Sequence, residues 1–258
     1  MPKINKDSTL NITFVGIGLC LLCSAIISFI AIQLRSVQEN NVVLDMQKKI
    51  VSSAGLEKVY GSVENAMSNV KTLIIDLDKG EIVDINPDSY ELAKELREDG
   101  KYKFLSAEED VASIKKREKY SKIYIEYKEN EINTLILPVR GYGLWGILYG
   151  YLAIEGDFNT VAGLEFYEHK ETPGLGAEID NPKWKALWKG KKIYQENGEV
   201  SLKVIKGSVL ETSNNFSYEI DGLSGATLTC NGVSNLIAYW MGNDGFLNFI
   251  NNLQKLDV

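Results

Sequence analysis

Arg140-Gly141-Tyr142-Gly143-Leu144-Trp145-Gly146, followed at once by Ile147-Leu-Tyr-Gly-Tyr-Leu-Ala-Ile-Glu155, is the stretch on which the fold turns. Its glycines match the spacing GxGxxG. A dinucleotide-binding fold would follow if they opened a helix after a strand, with an acidic residue about 20 positions on. Neither condition is met. Ile147 to Ile154 is rich in strand formers, position 166 is Phe, and its acidic neighbours Glu165 and Glu168 lie in or at the edge of another expected strand. The glycines therefore read as a loop over 140–146 between strands, in which Tyr142 and Trp145 either pack the core or face a flat ligand.

Outward from this loop the period stays that of strands. Ser121 to Tyr127 and Ile132 to Val139 form an expected hairpin. Val70 to Asp76, a turn at Asp78-Lys79-Gly80, and Glu81 to Ile85 form another. Gly146 to Glu155 and Thr160 to Tyr167 add two strands. A short helix is expected over 88–98 and a charged, solvated one over 107–119. Farther on come a helix at 182–188 with Trp184 and Trp188, strands near 191–194, 200–206 and 216–220, and a closing helix from Asp244 to Leu256. The fold class is α+β: a mostly antiparallel sheet with flanking helices, preceded by one N-terminal transmembrane helix.

That helix is expected over Leu10 to Leu34, 25 residues without a charge. A cleaved signal peptide has a shorter apolar core, about 7 to 15 residues, before a small-residue site. Here Ser24-Ala25 falls in the middle of the run, which favours an uncleaved anchor. The domains expected are a cytoplasmic head at 1–9, a transmembrane helix at 10–34, a stalk helix at 35–55 ended by Gly55, and an extracytoplasmic domain at 56–258. Lys3 and Lys6 before the span and Arg35, Lys48 and Lys49 after it do not set the orientation. Long domains cross a membrane largely regardless of charge, so the domain is expected outside the cytoplasm.

The formal net charge of −7, with no basic stripe, speaks against nucleic acid as a partner. Cys20, Cys23 and Cys230 give neither a disulfide framework nor a zinc site. A single histidine, His169, excludes a histidine-based metal cluster; placed between Glu168 and Lys170, it reads as a surface residue. No metal site and no catalytic side chain is expected.

Two further stretches carry chemistry. Glu171-Thr-Pro-Gly-Leu-Gly176 is a dense turn. Asp221-Gly-Leu-Ser-Gly-Ala-Thr-Leu-Thr229 ends where Leu228, Val233, Leu236, Ile237 and Trp240 begin to recur at helical spacing, so Thr227 falls in or beside a first helical turn. Free N–H groups and the helix dipole favour a phosphate there. The plainer possibility is a turn in which Ser224 or Thr227 caps the helix.

The N-terminal anchor, Arg140 to Gly146, Glu171 to Gly176 and Asp221 to Thr229, in that order, resemble the C subunit of the Na+-translocating NADH:quinone oxidoreductase. The G subunit of the related Rnf electron-transport complex shares the glycine-loop and threonine motifs and is the near alternative. Asp221, Ser224, Gly225, Ala226 and Thr227 match the flavinylation motif of these subunits. The resemblance implies FMN bound through a phosphoester to Thr227, not Thr229, and installed by a separate flavin transferase. It implies a relay of electrons within a bacterial inner-membrane complex that pumps sodium, with the other membrane subunits as partners and NADH and quinone sites elsewhere. Tyr142, Trp145, Leu175 and Gly176 are then expected to meet the ring, Glu171 and Thr172 to hydrogen-bond its polar edge, and Ser224 and Thr229 to share the phosphate charge. Leu228 completes this expected surface. A non-redox sensor or a scaffold protein would be the reading if Thr227 were never modified.

Overall fold

The computed structural model of the chain describes residues 8–256. Most of the expected N-terminal head lies outside them. The chain falls into two compact units, Met1–Met46 and Gln47–Val258.

The first unit is the greater part of one helix, α1 (Thr9–Ser53). It is long and apolar enough to cross a membrane, and its large apolar side chains between Leu10 and Leu34 are exposed all round. Such a helix suits a lipid solvent, where every backbone polar group must be satisfied within the segment.

The second unit opens with the last turns of α1, then α2 (Leu56–Tyr60) and α3 (Val63–Ser68). Gly55 and Gly61, both in the left-handed region at φ 67° and 78°, break the chain between these helices and after α2. There follow β1 (Val70–Asp76), β2 (Glu81–Val83), α4 (Leu92–Glu95), β3 (Tyr102–Phe104), β4 (Lys116–Glu118), β5 (Tyr120–Lys128), β6 (Glu131–Tyr142), β7 (Ile147–Glu155) and β8 (Val161–Glu168). The chain ends through α5 (Pro182–Ala186), β9 (Lys203–Val204), β10 (Glu219–Ile220), α6 (Thr227–Trp240) and α7 (Leu247–Leu256).

One six-stranded sheet in the order β2-β1-β5-β6-β7-β8 organises this unit, every pairing antiparallel. Both its faces are covered. Leu135, Leu137, Leu148 and Leu152 pack with Val233, Leu236, Ile237 and Trp240 of α6 on one side. Ile136, Tyr151 and Ala153 pack with Ile50, Val51, Leu56 and Ala66 on the other. Two covered faces explain why β6 and β7 read as continuous apolar runs rather than alternating ones. Glycines permit the closest approaches. A Cβ on Gly141 would stand 2.6 Å from Leu236 Cβ, and one on Gly163 2.4 Å from the Ser53 carbonyl oxygen.

The expected strands 70–76, 121–127, 132–139, 146–155 and 160–167 are present within a few residues. The expected charged helix over 107–119 is not. Ser113 and Lys115 take φ of 55° and 65°, and the Asp110 carboxylate accepts from the Ile114 and Lys115 amides, so the chain turns and enters β4. Its charges are only partly a solvated face: Glu108, Glu109 and Lys115 are exposed, whereas Arg117 and Glu118 are buried. The helix expected over 88–98 contracts to a 3-10 turn at Pro87–Ser89 and the four residues of α4. The strands expected near 191–194 and 200–206 reduce to isolated bridges, Thr160 with Lys192 and Tyr194 with Val200, and to β9. The one expected at 216–220 becomes a 3-10 turn followed by β10, which pairs parallel with β9.

Candidate functional site

The loop between β6 and β7 is a four-residue turn closed by a bond from the Gly143 amide to the Gly146 carbonyl. β6 runs on through Tyr142, so the loop is shorter than the expected 140–146. Tyr142 (46 % exposed), Leu144 and Trp145 (61 % exposed) turn their side chains to solvent and not to the core.

The segment 171–176 lies against this turn through one side chain. Glu171 is 5 % exposed, and its Oε1 accepts from the amides of Leu144 and Trp145, each at 3.0 Å. Its Oε2 accepts a short bond from the hydroxyl of Thr229, which is 1 % exposed. Both oxygens of the carboxylate are thus engaged by the chain, and the Thr229 hydroxyl donates to Glu171. Gly176 is buried beneath them: a Cβ there would stand 2.5 Å from both Glu171 Oε2 and Thr229 Oγ1. Thr172 and Leu175 are exposed, and the Thr172 carbonyl accepts from the Leu175 and Ala177 amides.

His169, expected at the surface, is largely buried. Its Nδ1 accepts from the Glu171 amide at 3.2 Å, which leaves the Nε2 proton to face Asp180 Oδ2 at 2.8 Å. The ring is a brace behind Glu171.

The threonine motif opens α6. Ala226 occupies the N-cap position with no side-chain hydrogen bond to the first turn, so neither Ser224 nor Thr227 caps the helix. The first-turn amides have no intrahelical acceptor and no side-chain cap. Gly225 takes φ 73° just before them, and a Cβ there would meet Leu175 Cδ2 at 2.9 Å. Thr227 and Leu228 are exposed on this turn, with Thr229 buried behind them.

Asp221 and Gly222 build the wall beside it. Asp221 Oδ1 accepts from the Val209 amide at 2.7 Å, its carbonyl accepts from the Trp184 indole, and the Gly222 amide donates to the Gly207 carbonyl. A Cβ at Gly222 would lie 2.2 Å from the Ile205 carbonyl oxygen. The result is a cleft of about 410 Å³ lined by Lys206, Ser208, Ser224, Gly225, Thr227 and Asn231 among others. Cys230 also lines it; burial pushes its thiol up, which keeps it neutral and unreactive.

Lys206, Ser208 and Asn231 were not singled out from the sequence. Lys206-Gly-Ser208 reaches the motif only through the β9–β10 pairing, which no local pattern announces. Lys206 brings a positive charge to the lining. An uncapped helix start, a nearby lysine, an exposed hydroxyl and flanking exposed Trp145, Leu175 and Leu228 form a donor set and surface that fit a flat cofactor with a phosphate tail.

The site also depends on the seat of α6. Gly232 lies so close to β6 that a Cβ would stand 2.3 Å from the Tyr142 carbonyl oxygen and 3.0 Å from Gly143 Cα. Because these are backbone atoms, Gly232→Ala is expected to cost about 1–3 kcal/mol. A melting temperature lowered by several degrees checks it.

The model of the FMN-binding domain family matches residues 143–242, which spans the turn, Glu171 and the whole threonine motif. The C subunit of the Na(+)-translocating NADH-quinone reductase of Pseudomonas aeruginosa is 44 % identical over 256 residues, covering 97 % of this chain and 98 % of the relative. That of Vibrio anguillarum is 40 % identical over 246 residues, covering 95 % of each. Among solved structures, Shewanella oneidensis NqrC superposes with a TM-score of 0.72 at 29 % identity, over 81 % of this chain and 96 % of its own. The corresponding reductase protein of Parabacteroides distasonis gives 0.61 at 26 % identity, over 84 % and 96 %.

Proposed function

This chain belongs to the C-subunit family of the Na(+)-translocating NADH-quinone reductases, and on that footing we propose that it relays electrons through an FMN tied covalently to Thr227. It is an FMN flavoprotein subunit of an oxidoreductase complex, acts in electron transport beside the other subunits, and has one N-terminal helix suited to the inner membrane. The observation that carries the attachment is the contrast between two hydroxyls. Thr227 is exposed at an uncapped helix start on the edge of a cleft, while Thr229 is buried and bonded to Glu171.

FMN supplies the redox chemistry that side chains lack. The chain's own residues bind and orient it. Thr227 Oγ1 takes the phosphoester. The first-turn amides of α6, Lys206 and the Ser224 hydroxyl balance the phosphate charge. Trp145, Tyr142, Leu175 and Leu228 offer flat or apolar surface to the ring, and Thr172 a hydroxyl to its polar edge. Because Glu171 is committed to the chain, its part is to hold the Trp145 turn.

A separate flavin transferase would install the FMN from FAD. The bond from Thr227 Oγ1 to phosphorus forms as the pyrophosphate bond of FAD breaks, with AMP as the leaving group and the hydroxyl proton released to a base. The domain stands on the extracytoplasmic side, anchored in the bilayer by Leu10 to Leu34. A covalent tether suits that side, where a free flavin would be lost by dilution.

Coexpression with a flavin transferase and in-gel fluorescence of the denatured chain tests the reading. A fluorescent band is expected, and a dark band beside a fluorescent control flavoprotein contradicts it. Trp145→Ala is expected to shift the absorption spectrum or midpoint potential of the attached flavin. If potentiometric titration finds both unchanged, Trp145 is not part of the site.

A further inference from the structure

We propose that Glu171 is the positioning residue of this site: its buried carboxylate clamps the Trp145 turn to the turn of α6 that carries Thr227, and it does so before any flavin is attached. The inference rests on the reading of Thr227 as the attachment point.

Leu144 and Trp145 are both exposed, so side-chain burial does little to fix their turn. What holds it on the site side is the pair of amides donating to Glu171 Oε1 at 3.0 Å. The other oxygen is held by Thr229, two residues past Thr227 on the same helical turn. One carboxylate thus spans two segments that the chain separates by more than eighty residues.

The surroundings are shaped for it. Gly143 and Gly176 leave the space that the two oxygens fill, since a Cβ at Gly143 would lie 2.7 Å from Oε1 and one at Gly176 2.5 Å from Oε2. His169, itself bonded to Asp180, accepts the Glu171 amide and fixes the backbone from which the side chain projects. A charged acceptor makes these bonds stronger than neutral ones. The same clamp withdraws the Thr229 hydroxyl, so that of the two threonines in the motif only Thr227 is presented to a transferase.

Hydrogen exchange on the full chain in detergent, made without a flavin transferase, tests the clamp apart from the flavin reading. In Glu171→Ala the amides of Leu144 and Trp145 are expected to exchange roughly ten- to a hundredfold faster, the range set by losing a hydrogen bond to a charged group. Amides in β7 and in the middle of α6 keep their protection. Glu171→Gln restores it at Leu144 and Trp145, because the amide oxygen still accepts both bonds while its NH2 group faces Thr229. Equal exchange at the two amides in wild type and Glu171→Ala overturns the proposal, as does faster exchange spread evenly over the domain, or a failure of Gln to rescue.

If Glu171→Ala does not fold, Thr229→Val cuts only the helix leg. Leu144 and Trp145 then stay protected, while the attached flavin of the transferase-treated variant changes its emission as Trp145 shifts. Unchanged emission overturns the positioning role. A chain that shows the clamp but never acquires flavin sinks the attachment reading instead.

Discussion

Thr227→Ala is expected to leave the complex assembled and bring its quinone reductase turnover down to background. The threonine is exposed at the start of α6, and its side chain makes no bond that helps to hold the fold. Surface substitutions of this kind change stability by about 0.5 kcal/mol or less. The loss is therefore one of chemistry, because no side chain replaces a flavin as an electron carrier. Thr229 does not take over, being 1 % exposed with its hydroxyl on Glu171. Native gels of the purified complex check assembly, and NADH-dependent quinone reduction checks turnover. Full turnover in the variant would make this chain a scaffold.

Arg140→Met is expected to be the most damaging single change to the domain, at about 3–5 kcal/mol, the cost of breaking a buried ion pair from one side. Arg140 and Glu118 are 4 % and 2 % exposed and share a short bond, with a second guanidinium bond to the Lys116 carbonyl at 3.0 Å. Burial alone would pull the guanidinium's pKa down, yet the charge and hydrogen bond of Glu118 outweigh it and hold it raised. Arg140 also lies over the Trp240 ring, 5.5 Å from its centroid, while its carbonyl accepts the Trp240 indole at 2.7 Å. It thereby joins β4, β6 and the C-terminal end of α6, the helix whose first turn carries Thr227. Methionine fills the space but leaves Glu118 buried without a partner. Urea denaturation of the chain in detergent measures the loss. Arg140→Met combined with Glu118→Gln should recover most of it, since the double change removes both charges.

The sheet was legible because its signal is local. β-Branched and aromatic runs bounded by glycine and asparagine turns mark β1, β5, β6, β7 and β8 wherever they fall. The glycine loop was legible by exclusion, as strand formers followed it where a helix was required. Its individual glycines were not. Gly141 makes room for Leu236, and Gly143 for the Glu171 carboxylate, contacts that only the folded chain creates.

The same limit explains what was misread. Charge between 107 and 119 suggested a solvated helix, but Arg117 and Glu118 are buried by partners far along the chain, and Asp110 turns the backbone before a helix can form. The family resemblance implied that Glu171 hydrogen-bonds a cofactor edge, and no local pattern announced its partners within the chain, which come from positions 27, 26 and 58 residues away. The place of Thr227 at a helix start was legible because the turn glycine and the onset of helical spacing coincide on one short segment.

The most direct measurement is peptide-level mass spectrometry of the wild-type chain matured with an active flavin transferase. One FMN phosphoester on the fragment holding residues 221–233, with fragmentation placing it on Thr227, is the predicted result. An unmodified fragment, or FMN on Ser224 or Thr229, would contradict the account.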